Sequence, residues 1–170
     1  APDWSPNGRY IAFTSDRPGF QELFVLDLST GGERQVTHFG HDIGEHAWSP
    51  DSSRLVCTVN REGALDLAVV TLASGHVDFL RSGSGIHEQV QWLADGRTIT
   101  FEYEDPCTPA DMYRIDVETR QVTQLTFSNP PALAALDLVT PERIRYRSFD
   151  GLEIPSVLYR PRKPNGAAIL

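Results

Sequence analysis

The chain has 170 residues, of which 40% are hydrophobic and 22% charged, and a formal net charge of −8. That composition suits a soluble globular protein, and the negative balance disfavours nucleic acid and anionic membrane surfaces as partners. No stretch approaches the roughly 18 apolar residues that span a bilayer as a helix.

Two cysteines, Cys57 and Cys107, are too few for a disulfide framework and have no Cys-x-x-Cys neighbour. Both are expected as reduced thiols, although a bridge between them stays open. The chain starts at Ala1 and holds its single Met at position 112, so a piece of a longer protein is expected. The expected compartment is the cytoplasm, with periplasm or secretion open if a leader stood before Ala1.

In chain order the first landmark is Trp4, which recurs as Trp48 and Trp92 every 44 residues. Each indole is followed by a tight-turn pair, Asn7-Gly8, Asp51-Ser52 and Asp95-Gly96, and then by a β-rich run. This period predicts four-stranded propeller blades over residues 1–44, 45–88 and 89–126. In the first copy, residues 10–14 are apolar on both faces, as in a sheet stacked between neighbours. Residues 22–28 return as the third strand, and residues 34–38 form a short polar outer strand. The second copy repeats this plan at 45–48, 54–59, 65–72 and 77–80. In the third, Asp105-Pro106-Cys107-Thr108-Pro109-Ala110 reads as a lengthened turn, so the strand at 113–117 arrives one residue late.

The period stops after Thr126. Asn129-Pro130-Pro131 blocks both helix and central strand, so residues 127–143 read as an interdomain linker with at most a short helical turn. Residues 144–148 and 152–154 alternate apolar and polar side chains across Phe149-Asp150-Gly151, a β-hairpin signal. Ala167-Ala168-Ile169-Leu170 reads as the start of another strand.

The Trp-Ser-Pro-Asn/Asp turns, the Phe13-Thr14-Ser15-Asp16-Arg17 stretch, and Ser148-Phe149-Asp150-Gly151-Leu152-Glu153-Ile154-Pro155 followed by Leu158-Tyr159-Arg160-Pro161 resemble the prolyl oligopeptidase family of serine peptidases, especially its acylaminoacyl- and dipeptidyl-peptidase branches. The resemblance implies a β-propeller followed by an α/β-hydrolase domain that cleaves short peptides through an acyl-enzyme. The fold class is therefore all-β: a partial propeller, then the first hairpin of the hydrolase domain over residues 144–170. The blades would form the gate that limits the active site to short peptides. Two alternatives stay open: a Tol-type propeller that binds proteins, since Tol propellers carry similar repeats, and a serine esterase on the same two-domain plan. Short peptides are the expected partners, and a homo-oligomer is possible.

No serine has glycine both two residues before and two residues after it, so no nucleophile elbow is present. No catalytic, cofactor-binding or metal residue is assigned, and the 170 residues alone are expected to be inactive. His38, His41 and Asp42 read as a solvated loop rather than a metal cluster, and His46, His76 and His87 as packing or solvent-exposed rings. Gly83-Ser84-Gly85 lacks a third glycine and a following helix, so it reads as a turn. Glu102, Glu104 and Asp105 could hold a substrate amino terminus but read as a solvated strand end. The three indoles read as blade packing.

Overall fold

The computed structural model describes residues 2–163; the strand expected at 167–170 lies outside the described residues. The first sheet is an antiparallel meander of β1 (Asp3–Trp4), β2 (Tyr10–Ser15), β3 (Glu22–Asp27) and β4 (Gly32–Gln35). The second comprises β5 (Ile43–Trp48), β6 (Arg54–Arg61), β7 (Ala64–Thr71) and β8 (Val77–Arg81), and the third β9 (Ile86–Trp92), β10 (Thr98–Asp105), β11 (Thr108–Asp116) and β12 (Val122–Gln124). One parallel bridge, Leu65 to Ile86, joins the second and third into a continuous ladder.

Turn chemistry explains why the repeat looks as it does. In the first two copies a serine hydroxyl accepts the N–H five residues on, Ser5 from Tyr10 at 2.8 Å and Ser49 from Arg54 at 2.9 Å, and donates to the side chain of Asn7 or Asp51. Leu93 has no hydroxyl, and there Asp95 takes over by accepting the Thr98 N–H and hydroxyl. The turn needs a left-handed residue at Gly8 (φ 70°), Ser52 (φ 61°) and Gly96 (φ 62°), which glycine adopts without a Cβ penalty.

The middle sheet is apolar on both faces because both faces are covered. Leu55, Cys57, Val59, Ala68 and Val70 pack against Ala12, Leu23, Val25 and Val36 of the first sheet. Val56, Leu67 and Val69 pack against Ile99, Phe101 and Ile115 of the third. The third sheet's other face is polar, since β10 alternates Thr98, Thr100 and Glu102 with the buried Ile99 and Phe101.

The indoles are not equivalent in burial. Trp48 and Trp92 are each covered by the sheet before them: Tyr10 stacks on Trp48 with centroids 6.1 Å apart, and the Arg54 guanidinium lies 4.6 Å from the Trp92 centroid. Trp48 is 6% exposed and its Nε1–H donates to the Asp3 carbonyl at 3.1 Å. Trp4 is 60% exposed. Packing is thus a property of the junction rather than of the residue.

The lengthened turn expected at 105–110 is corrected. Strands β10 and β11 run on to Asp105 and restart at Thr108, so only Pro106 and Cys107 make the turn. The extra residue is absorbed as a register shift between Tyr103/Asp111 and Asp105/Thr108, a β-bulge. Beyond Gln124 the chain makes one 3₁₀ turn, Pro131–Ala135, and then the hairpin of β13 (Glu142–Arg147) and β14 (Glu153–Leu158). Gly151 turns that hairpin at φ 86°.

Candidate functional site at the junction of sheets and hairpin

Three segments meet at one end of the sheets: the β6–β7 turn, where Glu62 and Gly63 both have positive φ, the β8–β9 connector at residues 82–85, and the β10–β11 turn. The hairpin lies against them. The Arg143 guanidinium donates to the Gly83 carbonyl at 2.8 Å, and Arg145 pairs with Glu62. Two clefts share Arg143 and Glu62 in their linings. The smaller, about 290 Å³, is lined by His41, Arg61, Glu62, Asp66, Ser82, Gly83 and Arg143. The larger, about 380 Å³, takes its apolar wall from Ile86, Pro106, Pro141, Val157 and Tyr159, with Glu104 and Asp105 at its edge.

A carboxylate near the start of each sheet's third strand, β3, β7 or β11, staples the segment that follows that sheet, and one of these segments, the β8–β9 connector, walls the smaller cleft. Glu22, 2% exposed, accepts the Thr37 hydroxyl at 2.6 Å and the Gly40 N–H at 2.8 Å. Asp66, 3% exposed, accepts the Gly83 N–H at 3.1 Å and faces Arg61 at 3.4 Å. Asp111 accepts from the Thr126 and Ser128 hydroxyls and from the side-chain amides of Gln124 and Asn129. The Thr126 hydroxyl heads the bonds that hold the Asp111 carboxyl below the usual carboxylate range.

The second junction departs from this pattern. Arg81 stands where the neighbouring copies have Thr37 and Thr126, and His87 stands where the first junction has Ile43. His87 is 2% exposed; its Nδ1 lies 2.5 Å from the Leu65 carbonyl, and its Nε2 accepts from Arg81 Nε at 3.1 Å. That pattern requires the neutral Nδ1–H tautomer, and burial pushes the ring's pKa down. The Arg81 guanidinium sits 4.8 Å from the centroid of Tyr103, whose hydroxyl donates to Asp105 at 3.0 Å. Tyr103 in turn lies so close to Gly85 that a Cβ there would meet Cε2 at 2.1 Å, which explains the glycine.

A sequence model of the TolB beta propeller domain matches residues 1–138. The chain belongs to this family. It is 26% identical over 156 residues to dipeptidyl-peptidase 5 of Porphyromonas gingivalis, across 88% of the chain and 22% of that protein. It is 34% identical over 100 residues to a TolB homolog of Chlorobium chlorochromatii, across 59% of the chain and 22% of that protein. Among solved structures, a puromycin-hydrolyzing peptidase of Mycobacterium tuberculosis superposes with a TM-score of 0.75 at 21% identity, over 100% of the chain and 27% of its own. TolB of Acinetobacter baumannii superposes at 0.65 with 25% identity, over 97% of the chain and 38% of its own. The chain thus spans about a fifth of the length of the curated relatives it matches. The expected kinship with peptidase propellers is met, alongside kinship with TolB itself.

On this TolB propeller the residues weighed from sequence scatter. Glu102 accepts from the Gln89 amide at 3.1 Å, and Asp105 is tied to Tyr103 and the Cys107 N–H. Of that acidic run, only Glu104 stands exposed at the cleft edge. His41 tilts against Phe20 and lines the smaller cleft. His46 is half-buried with no partner for Nε2, and burial pushes its pKa down. Among the described residues no three His, Cys, Asp or Glu side chains gather as a metal site. The 83–85 segment is the β8–β9 connector, as its turn reading expects. The wall residues Arg61, Glu62 and Arg143 went unnoticed in the sequence because each comes from a different turn or strand. The Thr-to-Arg departure at position 81 was legible in the repeat.

Proposed function

We propose that the chain is the propeller and junction region of a serine peptidase that hydrolyses short peptides, of the acylaminoacyl- or dipeptidyl-peptidase type, with the catalytic groups elsewhere in the whole protein. The carrying observation is the hairpin seated on the blade ends through Arg143 and Arg145. The alignment with dipeptidyl-peptidase 5 covers 88% of the chain and so has to run past residue 138 into this hairpin. The TolB homolog alignment covers 59%. In this reading the clefts form part of the wall that a peptide meets on its way to the acyl-transfer site, and the blades exclude longer chains. The two thiols, both unpaired, suit a reducing compartment such as the cytoplasm.

The test uses the full-length protein. It should hydrolyse aminoacyl- and dipeptidyl-chromophore reporters and be labelled by a fluorophosphonate, whereas the 170-residue chain should do neither. Full-length protein without hydrolysis or labelling overturns the reading. A second reading, a TolB-type protein-binding propeller, rests on the family match at residues 1–138 and would then be preferred. Faster turnover of simple esters than of peptides would favour the esterase alternative.

A further inference from the structure

We propose that the smaller cleft binds the free carboxylate of a short ligand, with Arg143 as the principal contact and Arg61 beside it. Two carboxylates line this cleft, and both are already committed: Glu62 pairs with Arg145, while Asp66 is held by Arg61 and the Gly83 N–H. Among the described residues Arg143 has no carboxylate partner and one side-chain hydrogen bond, to the Gly83 carbonyl. A guanidinium carries five N–H donors, so those not bound to Gly83 remain for a ligand, and Arg143 lines an open volume of about 290 Å³.

The charge balance selects the anion. Glu62, Asp66 and a chain of net charge −8 oppose a dianionic phosphate, whereas a planar monoanion suits the bidentate fork. Orientation follows from the neighbouring cleft. Exposed Glu104, which lines that cleft, repels a carboxylate, so the anion belongs in the smaller cleft with Arg61 and the apolar body against Ile86, Val157 and Tyr159. Resting on the peptidase reading above, the ligand class is a short peptide whose free carboxyl end carries an apolar last residue. A fixed carboxyl end would set a length limit independent of blade closure.

The experiment is calorimetric titration of the full-length protein, treated beforehand with a fluorophosphonate so that no probe is hydrolysed, with N-acetyl-alanyl-leucine, its carboxamide, butyrate and inorganic phosphate. NMR spectra of each protein check that it is folded. The free acid should bind about tenfold or more tightly than the carboxamide, as expected of a charge-assisted bidentate contact. Arg143→Met should abolish that difference, Arg143→Lys should restore part of it, and Arg120→Met on the distant outer edge should leave it intact. Equal binding of acid and carboxamide overturns the carboxylate site while leaving the peptide reading in place. Butyrate binding as well as the peptide keeps the carboxylate site and counts against peptides. Tighter binding of phosphate, or no binding of any probe, overturns the proposal.

Discussion

The two junctions between sheets solve the same packing problem with different chemistry. At the first, Glu22 and Thr37 staple the connector, Ile43 is 2% exposed, and the surrounding core is apolar and mostly aliphatic. At the second, Asp66 keeps the stapling role, but Arg81 and His87 replace threonine and isoleucine and form a polar pair, His87 buried and Arg81 half-buried, against Tyr103 and Phe101. A repeat that serves only stacking has no use for a buried imidazole, which has to be desolvated. The departure falls behind the connector that walls the clefts. The difference teaches that the first junction is scaffold and that the second also shapes a surface.

The largest effect should come from the indoles, which separate packing at a junction from the motif itself. Trp48→Ala should cost about 3–5 kcal/mol in chemical denaturation. Trp4→Ala, at 60% exposure, should stay within about 1 kcal/mol. Equal losses would show that the motif stabilises each copy on its own. A double-mutant cycle then probes the second junction. Arg81→Thr strands His87 Nε2, and His87→Ile leaves the guanidinium over Tyr103 without its acceptor, so each should cost about 1–3 kcal/mol. The double variant rebuilds the pattern of the first junction and should recover at least about 1 kcal/mol relative to additivity. Strict additivity would sever the link between the two residues.

The pH dependence is smaller and has two windows. The folded pKa of His87 lies below the ordinary 6.5, as does that of His46, so the unfolded chain binds these protons first. Stability from these rings is complete above 6.5 and declines as the pH falls through 6.5 toward their folded values. His87→Gln should flatten part of that decline in thermal melts between pH 7.5 and 5. Asp51 and Asp116, at about 2, are held by the Ser49 hydroxyl and the Thr119 N–H respectively, and their contribution is lost only below about 3.8. A melting temperature unchanged between pH 7.5 and 5 would contradict the buried neutral imidazole. The smallest effect is chemical. Burial pushes the Cys57 thiol up to about 12, so iodoacetamide on the native protein should label Cys107 and spare Cys57, as read by mass spectrometry.

Much of the architecture was legible in the residue string because it is local. The 44-residue spacing of the indoles, the Ser-Pro-Asn/Asp turns and the Phe149-Asp150-Gly151 hairpin each depend on dihedral preferences and hydrogen bonds within a few residues, and those are written in residue types. The stapling carboxylates Glu22, Asp66 and Asp111 were legible in principle, since they recur 44 and 45 residues apart. They passed unseen because a single acid at a strand start looks solvated until its connector folds over it. The clefts depended wholly on tertiary structure. The Arg61-Glu62 pair, Gly83 and Arg143 are far apart in the chain, and only sheet stacking and the hairpin's return bring them together. The same holds for Trp4 and Trp48, one motif with two burials. Sequence by itself determined which segments become strands and, the β10–β11 turn apart, where they turn; desolvation and charge pairing between distant segments decided which side chains are covered and which face an open cleft.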